Sequence, residues 1–177
     1  MSDQGQGRKT RFTFEPLGPQ HDRAAFSCGV EALDSYLRRQ ASQDVRKHAA
    51  AVFIMTPNGK TVAGFYSLSQ YSVDLDVVPP EIARKLPKYP EIPATLLGRL
   101  AVSTAFRGQG AGELLLMDAL SRCYSGNKQL ASVAVIVDAK DDSAARFYTR
   151  YGFIALPKIE RRLFMPMGTI ASLFPEK

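Results

Sequence analysis

The stretch RGQGAG, from Arg107 to Gly112, constrains the fold most, because the chain changes period across it. Before it, LLGRLAV is apolar and strand-like; after it, ELLLMDALSRC carries apolar residues at helical spacing. A strand must therefore pass into a helix through an arginine and three glycines. Glycine lets the backbone approach a ligand closely and leaves its N–H groups unobstructed. The first helical turn adds free N–H donors and the positive end of the helix dipole, and Arg107 adds a charge that suits phosphate. On spacing alone a pyrophosphate cradle and a plain tight turn account for the loop equally well. It lacks the Lys-Ser/Thr ending of a Walker A loop, and its glycines miss the dinucleotide-binding spacing.

The remaining segments predict an α/β chain with an antiparallel front half and strand–helix units behind. RFTFEPL alternates as a short strand closed by Pro16. VEALDSYLRRQA puts Val30, Leu33, Leu37 and Ala41 on one helical face and turns Asp34, Arg38 and Arg39 largely outward. SQDVRKH continues as a second helix. AAAVFIMT and TVAGFYSLSQYSV, joined by PNGK, make a hairpin. DLDVVPPEIARKLPKYPEIP holds five of the eleven prolines and predicts a long ordered loop with one helical turn. ATLLGRLAV is a third long strand, GAGELLLMDALSRCYSG a helix stopped near Gly126, and LASVAVIVDA a buried strand. Asp141 or Asp142 caps the helix SAARFYTRY, Gly152 ends it, and RRLFMPM is a late strand.

A chain of 177 residues, 45% hydrophobic and 23% charged, suits one globular domain. That domain is expected over residues 11–177, behind a loose tail at 1–10. No apolar run reaches the roughly 18 residues of a membrane span, and MSDQGQGRKTR has no apolar segment of the kind a secretory signal needs. Cys28 and Cys123 make neither a metal-ligand pair nor a disulfide framework, so a reduced, cytoplasmic setting without a metal site is expected. A net charge of +6 biases the protein towards polyanions. The basic residues gather as Arg38, Arg39, Arg46 and Lys47, as Arg84, Lys85 and Lys88 beside Tyr89, and as Arg161 and Arg162. Such clusters suit an RNA phosphate track, and they also suit scattered solubilising charge.

The loop matches R/Q-x-x-G-x-G/A, the acetyl-CoA loop of the GNAT acyltransferases, through Arg107, Gly110 and Gly112. LLGRLAV resembles that family's fourth strand, VAVIVDA its fifth, and AARFYTRYGF the helix and strand that follow, so the likeness covers Ala94 to Phe164. Within the family the chain is most similar to toxins that acetylate aminoacyl-tRNA, through FSCGVEALDSYLRRQASQD, GFYSLS, PKYPEIPATLLGRLAV and VDAKDDSAARFYTRYGF. The resemblance implies a single domain whose central sheet is mixed, mostly antiparallel and flanked by helices, with its fourth and fifth strands splayed apart. It implies acetyl-CoA as cofactor, with the pantetheine arm against the backbone of Leu100, Ala101 and Val102. The pyrophosphate would lie on Arg107, Gly108, Gln109, Gly110, Ala111 and Gly112. Asp138 and Ala144 complete the implied cofactor contacts, and an N–H near Val102 would face the thioester oxygen. It also implies aminoacyl-tRNA as substrate and a ribbon-helix-helix antitoxin as partner; a homodimer is left open.

Tyr148 matches the family's proton donor. A phenol with a pKa of about 10 is neutral at working pH and can protonate a thiolate of similar basicity. Helix geometry alone would make it a core aromatic on the face of Ala144 and Tyr151, and Tyr151 is the competing phenol; Phe147 is expected to pack. No general base is visible: LLGRLAV has no carboxylate, and His21 and His48 lie outside this block. A lysine amine, of pKa about 10.4, is almost wholly protonated at neutral pH, whereas about a tenth of an α-amine near 7.7–8.0 is free. A site without a strong base therefore suits an α-amine. Arg99, beside the thioester strand, either faces an RNA substrate or braces the fold. The alternatives are a GNAT enzyme for a small or protein amine, and a non-catalytic acyl-CoA-binding domain.

Overall fold

A computed structural model describes residues 9–176; the expected tail at 1–10 falls mostly outside them. The elements run β1 (Thr13–Pro16), α1 (Glu31–Ser35), a π turn (Tyr36–Gln40), α2 (Ala41–Arg46), β2 (Ala51–Thr56), β3 (Gly64–Asp74) and α3 (Pro80–Ala83). They continue with β4 (Glu91–Val102), α4 (Ala111–Gly126), β5 (Ala134–Asp138), α5 (Asp142–Arg150), β6 (Ile154–Ala155), β7 (Arg162–Pro166) and α6 (Met167–Leu173). All seven strands join one sheet in the order β1-β2-β3-β4-β5-β7-β6. Each neighbouring pair is antiparallel except β4–β5. The fold is the mixed, mostly antiparallel α/β sheet the sequence implies.

The parallel pair opens as expected. β4 and β5 share a register only over Thr95–Leu97 and Val135–Val137, although β4 runs on to Val102. The ladder slips where it opens: Arg99 pairs with Ser67 and Leu97 with Leu68, so Gly98 is an extra residue in β4. A bulge of this kind exchanges the two faces of a strand. Leu97 packs on the α4 face, and beyond the bulge Leu100 and Val102 take that face while Ala101 joins the opposite cluster.

That α4 face carries α4, α5 and α6 over a core of Tyr66, Leu97, Leu115, Leu116, Val137 and Met165. The other face is covered in two places. Phe26, Tyr36, Leu37 and Ala41 pack α1 and α2 against Val52, Ile54, Phe65 and Ala101. Val78 and the apolar residues of the proline-rich segment pack against Val73, Ile92, Ile136 and Phe164. Between these covers the floor is Ser67, Ser69 and Arg99.

The first helix packs its expected face, Val30, Leu33, Leu37 and Ala41, against the sheet, but two of its polar residues do not turn outward. Asp34 is buried at 5% exposure, accepting the Cys28 N–H at 2.8 Å, and Arg38 is half-buried, donating to the Phe26 carbonyl. The π turn beginning at Tyr36 widens the helix locally where Arg38 sits, and Ala41 beyond it still packs on the expected face. The strand expected after the AARFYTRY helix is the short β6, and α6 was not expected.

Candidate active site

The glycine loop lies where the opened strand meets α4. Gly110 caps α4 with φ 72° and ψ 17°, and Gly108 has φ 76°. Both are left-handed, which disfavours any residue with a Cβ. A Cβ at either position would meet nothing within 4 Å, so packing does not demand glycine there. The loop opens onto space. A cavity of about 240 Å³ sits in front of it, lined by Val102, Arg107, Gly108, Gly110, Ala111, Gly112, Glu113, Phe147, Arg150 and Tyr151. The N-terminus of α4, a helix of 16 residues, borders this cavity with its unpaired N–H groups. The surroundings fit a pyrophosphate. Gln109 is exposed on the loop without lining the cavity.

The strand behind the loop offers its backbone selectively. Ser103 donates its N–H to the Ala63 carbonyl at 2.8 Å, across β3 and β4. Alternation in an antiparallel ladder then gives Ala101 the same pairing with Phe65, and turns the main-chain groups of Leu100 and Val102 towards the opened seam. Leu100 and Val102 can therefore pair with an extended ligand. Ala101 cannot, because β3 already holds its N–H and C=O.

Tyr148 is on α5, whose start is fixed by Asp141 accepting the Ala144 N–H at 2.8 Å. The residue is 8% exposed and packs edge-on against Phe147 and Phe153, in the same cluster as Leu97, Val137 and Ala139 on either side of the seam. Burial raises its pKa well above the ordinary phenol value. Ala144, one turn earlier, is half-buried in that cluster. Tyr151 lies instead at the loop cavity with Phe147, the two rings 5.0 Å apart.

Three expected site residues are committed to protein partners. Asp138 receives Arg162 through two bonds of 2.7 and 2.9 Å, and Arg162 also donates to the Tyr71 hydroxyl. Its carboxylate therefore serves β5–β7 pairing before any pantetheine contact. Arg107 donates to the Cys28 carbonyl, tying the loop to the chain entering α1. Arg99 lies 3.6 Å over the Tyr36 ring, whose hydroxyl donates to Asp44. Burial, with Asp44 second, pushes the Tyr36 pKa up to about 12. Arg99 thus both braces α1 and floors the open face.

The basic clusters separate in the same way. Arg39, Arg46 and Lys47 are exposed on the π turn and the end of α2, and Arg84, Lys85 and Lys88 are exposed just after α3 in the proline-rich segment. Arg38 is held by Phe26 and Glu31, and Arg161 and Arg162 by Asp142 and Asp138. Sequence reading missed Glu113 and Arg150 at the loop cavity; Arg150 follows Phe147 by three residues, and its helical phase was the available signal. A larger hollow of about 740 Å³, between the ends of α2 and α4, includes neither the loop nor Tyr148. Among the described residues no group of three His, Cys, Asp or Glu could hold a metal, and no helix is long and apolar enough to cross a membrane.

The architecture is shared with known proteins. Residues 22–164 match the family model described as an acetyltransferase (GNAT) domain. A probable toxin TacT of Sinorhizobium fredii is 33% identical over 168 residues, 90% of this chain and 93% of that protein. A tRNA-acetylating toxin of Mycobacterium tuberculosis is 34% identical over 152 residues, 86% of this chain and 90% of that one. The structure of AtaT complexed with acetyl-methionyl-tRNAfMet superposes with a TM-score of 0.86 at 30% identity, covering 93% of this chain and all of that chain (100%). AtaTR bound with acetyl-CoA gives 0.82 at 30% identity over 93% and 98% of the two chains. An AtaT mutant bound to the C-terminus of the antitoxin AtaR gives 0.78 at 28% identity over 93% and 99%.

Proposed function

The chain belongs to the GNAT acetyltransferase family, and from that premise we propose that it moves the acetyl group of acetyl-CoA onto the α-amino group of aminoacyl-tRNA, blocking translation. One observation carries the reading: the β4–β5 seam opens directly beside a left-handed glycine loop that faces empty space. Likeness over nearly the whole length of two toxins, one named for tRNA acetylation, supports the choice of acceptor.

Acetyl-CoA supplies an activated acyl thioester. Gly108, Gly110 and the first N–H groups of α4 would hold its pyrophosphate. Leu100 and Val102 would pair with its pantetheine arm through the main-chain groups that face the seam. The Val102 N–H would stabilise negative charge developing on the acyl oxygen. Tyr148, kept protonated by burial, would give its hydroxyl proton to the departing thiolate. The acceptor reaches the seam from the open face, between Arg39, Arg46 and Lys47 on one side and Arg84, Lys85 and Lys88 on the other. No carboxylate or histidine stands on the seam-side half of β4, Leu96 to Val102, to deprotonate a lysine, which suits an α-amine that is partly neutral at pH 7.

The site lies in the cytoplasm, where charged tRNA is found, and a ribbon-helix-helix antitoxin neutralises the protein, in keeping with the AtaT–AtaR complex. A cell-free translation reaction tests the whole reading. Synthesis should stop only when protein and acetyl-CoA are both present, and resume when the protein is removed and fresh charged tRNA is added. Arrest that does not depend on acetyl-CoA would overturn it.

A further inference from the structure

The cavity at the glycine loop has two unlike walls. One wall is the loop and the first turn of α4, with free N–H groups and one acid, Glu113. The other wall is α5, with Phe147, Arg150 and Tyr151. At about 240 Å³ the cavity can take a pyrophosphate, while the adenosine of coenzyme A is larger than the space left over and must lie along its rim. Coenzyme A carries a further phosphate on the 3′-oxygen of that ribose, a dianion separate from the pyrophosphate. Glu113 repels it from the α4 wall.

Arg150 is the cation on the α5 wall. Its guanidinium lies 5.4 Å from the Tyr151 ring centre, and it is exposed. Arg38, Arg122, Arg161 and Arg162 each pair with a carboxylate, and Arg107 holds the Cys28 carbonyl. Among the described residues Arg150 pairs with no acid. A guanidinium steadied on an aromatic face and left with its donors free suits a phosphate, which it can bind through two parallel bonds.

We propose that Arg150 binds the 3′-phosphate of coenzyme A, in a rim subsite where Phe147 and Tyr151 support the adenosine. The inference rests on the acetyl-CoA reading above and names the part of the cofactor that the loop does not reach. It makes Arg150 a specificity determinant: the site distinguishes coenzyme A from its 3′-dephospho form.

Titration calorimetry with acetyl-CoA and acetyl-3′-dephospho-CoA tests this as a cycle. The unmodified protein should bind the 3′-phosphorylated form about tenfold or more tightly, the scale of one charge-assisted pair. Arg150→Gln should bring the two affinities within about twofold by weakening the phosphorylated form alone, and Arg150→Lys should retain part of the preference. Arg146→Gln, one turn earlier and outside the cavity, should behave as the unmodified protein. A preference that survives in Arg150→Gln overturns the proposal. So does a variant that loses affinity for charged tRNA with its preference intact, which would put the guanidinium on the RNA path. Equal binding of both forms by the unmodified protein overturns this inference and leaves the acetyl-CoA reading standing; failure to bind either form overturns the acetyl-CoA reading itself.

Discussion

Gly110→Asp separates a ligand-binding loop from a mere turn, and the structure provides its control. Gly110 at φ 72° and Gly59 at φ 79° share left-handed backbone, and a Cβ at either would meet nothing within 4 Å. Gly59 is in the turn between β2 and β3, outside the loop cavity. Aspartate in this conformation costs about 1–2 kcal/mol, so both variants should lose similar stability, roughly 2–8 °C in Tm for a chain of this size. They should differ in binding. A carboxylate about 5 Å from a phosphate charge is repelled by roughly 3 kcal/mol at an effective dielectric of about 20. Even when salt and water remove half of that, acetyl-CoA affinity falls about tenfold or more. Gly110→Ala, carrying the backbone cost without the charge, should fall between. Calorimetric affinity and thermal unfolding measured on the three variants decide the matter. Equal affinity in Gly110→Asp and the unmodified protein would make the loop a turn and nothing more; equal losses at both sites would mean that stability was being measured.

Tyr148→Phe should lower kcat by about a hundredfold or more and leave acetyl-CoA affinity unchanged, as loss of an acid catalyst does; greater damage from Tyr151→Phe would move the role one helical turn. Because burial raises the Tyr148 pKa, its proton remains available past the ordinary value of 10, and kcat should show no decline from this group below that pH. An alkaline limb that starts lower and disappears in Tyr148→Phe would contradict the burial argument. Reversing Arg39 and Arg46 to Glu should weaken charged-tRNA binding and flatten its salt dependence without changing acetyl-CoA affinity, as gel-shift titrations across salt would show. Arg38 is left out of that pair because its bond to Phe26 would confound folding with binding. The hydroxyl of Tyr66, a fully buried residue, donates to Asp118 at 2.5 Å; Tyr66→Phe should cost about 2 kcal/mol, or about 4–8 °C in Tm, and an unchanged Tm would show the bond to be unimportant.

Local chemistry carried much of this structure into plain view in the sequence. The switch from strand to helix period around RGQGAG located β4, the loop and α4, and Asp141 capped α5 as its spacing suggested. What escaped were features that depend on partners far along the chain. Asp34 is inside because the Cys28 N–H needs an acceptor, and Arg38 is half-buried because its guanidinium donates to the Phe26 carbonyl. The Gly98 bulge, which decides that Leu100 and Val102 face the seam and Ala101 does not, appears only in the pairing of β3 with β4. Asp138 looked free for pantetheine until β7 brought Arg162 beside it. α6, only seven residues long with two small residues in its first turns, has too weak a period to announce itself.

Acetyl transfer to the α-amine is tested most directly with one purified tRNA in three forms: aminoacylated, uncharged, and esterified with the matching α-hydroxy acid. Each is incubated with the protein and acetyl-labelled acetyl-CoA. Label should enter the aminoacylated form alone and leave with the amino acid, as its N-acetyl derivative, when mild alkali cleaves the ester. Label that remains on the RNA after that cleavage, or that enters the uncharged tRNA equally, would contradict the α-amine as acceptor. No label in any form, from protein that binds acetyl-CoA normally, would contradict tRNA as the substrate.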